Sequence, residues 1–164
     1  MDTPTLLERI RADWQRTEPA LDPSPMLTFI TLQRAAGVLG DAVEATALPV
    51  GLNHSSRDVL FTLHRSAGPD GLPASELANL LAVSPASVTG RVDRLEARGW
   101  VTRTLDPEDR RSWRIALTDA GRALVREHLP THLAHERALL AVLNEAEVRQ
   151  LETLLLRLIR GAEG

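Results

Sequence analysis

Residues 84–117 read SPASVTGRVDRLEARGWVTRTLDPEDRRSWRIAL, and two periodicities follow one another within them. Val88, Val92 and Leu95 recur at i, i+4 and i+7, the apolar stripe of an amphipathic helix. Ser84 is placed to cap that helix, and Pro85 takes its first position, where a missing N–H costs nothing. Ser87, Thr89, Asp93 and Arg94 then fall on the outward face. Gly99 stops the helix. Beyond it Trp100 to Leu105 alternates as a strand, and Arg114 to Leu117 can pair back onto it across a turn running from Asp106 to Arg111.

The elements on either side are consistent with this centre. Ser75 to Leu81 makes a short helix, and Ala82-Val83 joins it to Ser84, which is helix-turn-helix spacing. Upstream of it lies GPDGLP, Gly68 to Pro73, read as a loop. Asn53 can cap a helix from His54 to Ser66 that turns Val59, Leu60 and Leu63 inward and leaves Asp58 pointing away from them. A longer helix over about residues 25–47 carries apolar residues on more than one face and is expected to be buried on several sides, with Pro49 and Gly51 breaking it. Thr5-Leu-Leu-Glu8 has the form of a capping box and opens a short helix bearing Leu7, Ile10 and Trp14, which ends near Pro19. On the other side, Thr118 caps a helix that Pro130 is expected to kink or divide. Asn144-Glu-Ala-Glu147 then introduces Val148, Leu151, Leu154, Leu155, Leu158 and Ile159. That leucine-rich helix exceeds what a small head needs for cover, which suggests pairing with the first long helix and with another subunit. The chain is therefore expected to be mainly α with a small β wing.

Composition bounds what such a fold can do. The chain has 164 residues, 43% of them hydrophobic, enough for one ordinary core. It contains no Cys, so disulfides, a thiol nucleophile and cysteine-ligated zinc are excluded. No stretch approaches the ~20 apolar residues of a membrane span, and the N-terminus lacks the pattern of a secretory signal. A cytoplasmic protein without a membrane partner is expected. The net charge is −3, yet residues 91–114 hold seven arginines against five acids, leaving twelve against seventeen elsewhere. Positive charge is thus concentrated on the helix and hairpin. All nineteen basic residues are Arg, whose planar fork suits phosphate and base edges.

A polar helix followed by a basic hairpin has a direct physical use on duplex DNA. The helix can lie in the major groove, where Ser84, Ala86, Ser87, Thr89 and Arg94 reach bases and backbone, while the hairpin reaches the adjacent minor groove. In Asp109-Arg110-Arg111 the acid can hold an arginine extended before DNA arrives, which lowers the entropy lost on binding. No G-x-S-x-G elbow, phosphate loop or dinucleotide fingerprint is present, so neither an enzyme nor a bound cofactor is expected. His128, His132 and His135 fall at i, i+4 and i+7, but Pro130 disturbs the spacing, and a polar helix face or subunit interface is expected in place of a metal site.

Two arginines sit against the pattern. Arg91 lies about 60° from Val88, at the edge of the core stripe. Arg103 shares its side of the strand with Val101 and Leu105. Both guanidinium groups point inward and need an anion there. Asp58 is one candidate, a bound anionic ligand is another, and a structural ion-pair network would also place charges this way.

The segments SVTGRVDRLEARGWVTR, DPEDRRS and LTDAGRAL resemble the MarR family of winged-helix regulators, and the resemblance covers about residues 25–160. It implies a homodimer in which residues 25–53 and 118–164 form dimerisation helices, residues 54–117 form a winged helix-turn-helix, and residues 1–18 are an added helix. It further implies a pseudo-palindromic operator, usually repressed and released by a small ligand. By the wing motif, Arg111 would enter the minor groove, Asp109 would orient it and Arg110 would meet phosphate. Gly90 stands where the family often has a basic residue, and Arg91 where an apolar one is common. The added helix and Arg91 are similar to the urate-responsive branch of the family, whose ligand residues match Trp14, Asp58, Arg91 and Arg103. That branch implies urate as effector, with another anionic ligand such as xanthine, a phenolic acid or a small carboxylate as the alternative. A winged-helix protein-interaction module without an operator is the reading from another class.

Overall fold

A computed structural model describes residues 1–45, 51–107, 109 and 112–164. The expected break at Pro49 and the wing residues Arg110 and Arg111 lie outside the described residues. The chain divides into two compact units, residues 1–45 and 46–164.

The first unit is a pair of helices, α1 (Thr3–Thr17) and α2 (Ser24–Glu44). The cap of α1 differs from the expectation: the Asp2 carboxylate accepts from the Thr5 N–H at 2.9 Å, and Thr5 lies inside the helix. An acid just ahead of Pro4 takes the cap because proline then fills an early position that has no N–H to satisfy. Helix α1 packs on α2, and Arg34 Nε donates to Thr3 Oγ1 at 3.0 Å. Within the single chain α2 is not buried on several sides. Leu27 is its one buried residue, while Phe29 and Val38 are 66% and 59% exposed.

The second unit begins with α3 (His54–Ser66), capped by Asn53 Oδ1, which accepts from the Ser56 N–H at 3.0 Å. Strand β1 (Leu72–Pro73), helix α4 (Ala74–Leu80), helix α5 (Pro85–Glu96) and strands β2 (Val101–Leu105) and β3 (Trp113–Leu117) follow. The strands form an antiparallel sheet in the order β1-β3-β2, with Arg103 opposite Ile115 and Leu105 opposite Trp113. The expected loop over residues 68–73 thus ends in a strand. Gly71 permits it: its φ is +78°, and a Cβ there would come within 2.4 Å of the Ile115 carbonyl oxygen, so only glycine lets β1 approach β3.

Val59, Leu60 and Leu63 of α3 meet Leu77 of α4, Val88, Val92 and Leu95 of α5, and Val101, Ile115 and Leu117 of the sheet in one core. These are the helical and alternating apolar positions of the sequence, buried as their periods require. Helix α6 (Asp119–Leu140) leaves the sheet from Thr118, whose hydroxyl caps it. Pro130 does not divide it, and the helix runs through. Asn144 and Glu147 form the reciprocal capping box that opens α7 (Glu145–Glu163), a helix with no buried residue in the single chain.

Candidate nucleic-acid interface and anion-responsive residues

Helix α5 is held by its buried stripe and by Ser84, whose Oγ accepts from the Ser87 N–H at 3.3 Å. Its other side presents Ala86, Thr89 and Arg94 to solvent, with Ser87 half-buried beside them. The Thr89 hydroxyl donates to the Pro85 carbonyl at 3.2 Å, which leaves its lone pairs outward as acceptors.

The wing is organised from its base by a residue that sequence reasoning missed. Asp106 is 7% exposed. Its Oδ2 accepts from Arg114 Nη1 at 3.1 Å, and its Oδ1 accepts from the Asp109 N–H at 3.4 Å. Arg114 in turn donates to the Asp70 and Gly71 carbonyls at 3.1 and 3.0 Å. One guanidinium therefore ties the turn before β1 to the start of the wing. Asp109 itself accepts through its carbonyl from the Ser112 N–H at 2.8 Å. An Asp followed by Pro at the end of a strand is a turn signal, and it could have marked Asp106.

The two inward arginines have different fates. Arg103 is half-buried and pairs with Asp93 and, at 3.5 Å, with Glu96, and its Nη2 also donates to the Thr89 carbonyl at 3.4 Å. A wing strand thus clasps the recognition helix through one side chain. Neither arginine pairs with Asp58, whose carboxylate lies 3.1 Å from His54 Nε2. Arg91 is half-buried and makes no hydrogen bond or ion pair among the described residues. The sequence reading put Asp93 on the outward face, where it is, but did not see that Arg103 could reach it. A strand that follows a helix after a short turn lies alongside that helix, and this neighbourhood was the available signal.

Asp58 lines a pocket of about 540 Å³ together with Phe61 and Arg65 of α3, Leu81, and His132 and Glu136 of α6. His132 stacks at a tilt on Phe61, with ring centroids 5.3 Å apart, and its Nε2 lies 3.2 Å from Glu136 Oε1. Burial holds its pKa below the usual histidine value, more than the Glu136 carboxylate raises it. Trp14 belongs to the other unit, where it lines a shallower recess of about 340 Å³ with Ile10, Asp13 and Thr17. Among the described residues no three or more His, Cys, Asp or Glu gather as a metal site, and no helix is long and apolar enough to cross a membrane.

A capped helix with a polar outer face, clasped to a three-stranded sheet that carries a hairpin wing, defines a winged-helix DNA-binding transcription regulator. The MarR family profile matches residues 50–112. The HTH-type transcriptional regulator PecS of Dickeya dadantii is 35% identical over 142 residues, 87% of this chain and 86% of its own. With that coverage the chain belongs to the MarR family. Among solved structures, Sco3205 of Streptomyces coelicolor in complex with DNA has a TM-score of 0.78 at 26% identity, covering 86% of this chain and 89% of its own. BpsR of Bordetella bronchiseptica, whose DNA binding is regulated by 6-hydroxynicotinic acid, has a TM-score of 0.70 at 27% identity over 80% of this chain and 97% of its own.

Proposed function

We propose that this regulator binds a pseudo-palindromic operator as a homodimer, represses from it, and is released by urate or a closely similar planar anion taken up by Asp58, Arg91 and Arg103. The observation that carries the reading is the clasp of Arg103 on Asp93 and Glu96. An arriving anion competes with those carboxylates for the same guanidinium, and Arg91, half-buried and uncommitted among the described residues, is a second cation for it. Because Asp93 and Glu96 ride on α5, loosening the clasp shifts the helix that enters the major groove. BpsR, regulated by a hydroxylated heteroaromatic acid, shows that a relative of this fold answers such a ligand.

The coupling is reciprocal, so operator and urate must weaken each other by one factor, corresponding to about 1–3 kcal/mol. The test is a gel-shift titration with duplex DNA from the protein's own promoter region, with and without urate, on the wild type and on Arg91→Ala. Since Arg91 bonds to nothing among the described residues, its loss should leave operator affinity unchanged and remove release by urate. Release that persists in Arg91→Ala, or equal urate affinity with and without operator by calorimetry, rejects the mechanism. Xanthine and 6-hydroxynicotinate in parallel decide the ring, since the preferred ligand raises the melting temperature most.

A further inference from the structure

Strand alternation places Val101, Arg103 and Leu105 on one face of the sheet, opposite Leu117, Ile115 and Trp113. At the core end this face is sealed, with Val101, Ile115 and Leu117 buried. At the wing end it is open: Leu105 is 53% exposed and Trp113 47%. They form a cross-strand apolar pair at the last register of the β2–β3 ladder. Arg103, one register step inward on the same face, touches Asp93 and the Thr89 carbonyl of α5. The open strip therefore starts at the outer residues of the recognition helix and ends at the wing turn, and one step of the ladder is about 6–7 Å.

We infer that Trp113, supported by Leu105, is a DNA-backbone contact of this regulator, seating the sugar-phosphate strand that separates the two grooves. The inference rests on the assignment of α5 to the major groove and the wing to the minor groove. With those elements in adjacent grooves, one phosphodiester strand must pass between them, over the surface the strip occupies. The chemistry matches. Deoxyribose offers C–H faces to the indole and leucine, and phosphate offers acceptors to the indole N–H, the single donor of that side chain. An apolar pair left open at the outer end of this sheet face is thereby covered only in the complex, and it adds affinity without adding charge.

That last point separates Trp113 from the arginines. Removing a phosphate-pairing arginine lowers the slope of log affinity against log salt by about 1, whereas removing a neutral contact lowers affinity and leaves the slope unchanged. The experiment is fluorescence anisotropy with a labelled promoter duplex over a salt series, on the wild type, Trp113→Ala, Trp113→Phe and Arg94→Ala. Trp113→Ala should weaken binding about tenfold, the scale of one lost aromatic contact, at an unchanged slope. Trp113→Phe, which keeps the cross-strand packing and loses the N–H, should fall between. Intrinsic emission supplies a reading that a mere hairpin brace would not move: adding operator should change the wild-type signal, and the change should vanish in Trp113→Phe. Unchanged affinity in Trp113→Ala, or weaker binding with an emission change that survives in Trp113→Phe, overturns the inference and leaves Trp113 as a brace. If the wild type itself binds no duplex, it is the groove assignment that fails, and Arg94→Ala will then show no salt effect either.

Discussion

A methyl group at position 121 would sit 2.0 Å from the carbonyl oxygen of Trp100, closer than any packed atom tolerates. The same carbonyl accepts from the Thr118 N–H at 3.1 Å, so it cannot move aside without breaking the entry to α6. Gly121→Ala should therefore lower unfolding stability by about 1–3 kcal/mol or more, read as a fall in the urea midpoint at constant m-value. Asp106→Ala should cost about 1–3 kcal/mol, because it removes the buried carboxylate that pairs with the half-buried Arg114 guanidinium. It should also weaken operator binding in an anisotropy titration, since the Asp106–Asp109 contact at the end of β2 is lost. At this scale the sequence showed which side chains were out of place but not what held them. Arg103 was legible as inward-facing because strand alternation is a strictly local rule. Its partners were not, because pairing Arg103 with Asp93 depends on how a strand lies against a helix, which no single period encodes. Asp58, one candidate partner for the two arginines, pairs with His54 one turn earlier on its own helix.

Elements were read best where their signals are local. Asn53, Ser84, Thr118 and Asn144 each cap the helix that the sequence assigned to them, since a cap needs only the next three residues. Strand β1 was missed because two residues carry no periodicity and its pairing is with β3, more than forty positions away. Helix α6 was expected to kink or divide at Pro130 and is not divided; its packing on α3 and β3, with Val125 buried in the core, outweighs one lost backbone hydrogen bond. The α3–α6 contact also sets a pH dependence. His132 has its pKa lowered in the folded chain, chiefly by burial. Its contribution is therefore fully present above the unfolded value of about 6.5 and is lost as pH falls through that value toward the folded one. Chemical denaturation at pH 7.5 and pH 5.5 should show the wild type losing stability at the lower pH, and His132→Gln should lose less.

Across the whole molecule, the apolar surface left open is larger than a lone chain would keep. On α7, Leu151, Leu154, Leu155, Leu158 and Ile159 are 36–55% exposed and recur at i, i+3, i+4, i+7 and i+8. That is one continuous stripe, of the kind that buries itself against another helix. As a homodimer contact it predicts that Leu154→Glu shifts the protein to a monomer in light scattering coupled to size exclusion. Operator affinity should then fall by more than the loss of one head's contacts, because two linked heads bind with a raised effective concentration. The junction of Trp100, Thr118 and Gly121 gains a further meaning here. It joins the winged-helix core on one side to the 22-residue α6 on the other. That helix is about 33 Å long, so tilting it by about 5° at the junction sweeps its far end through about 3 Å. This is close to the rise of about 3.4 Å between neighbouring base pairs along a strand. In the proposed homodimer, a tilt of that size at this junction, too small to disturb the core, would put a misfit of nearly one base pair between the two reading heads.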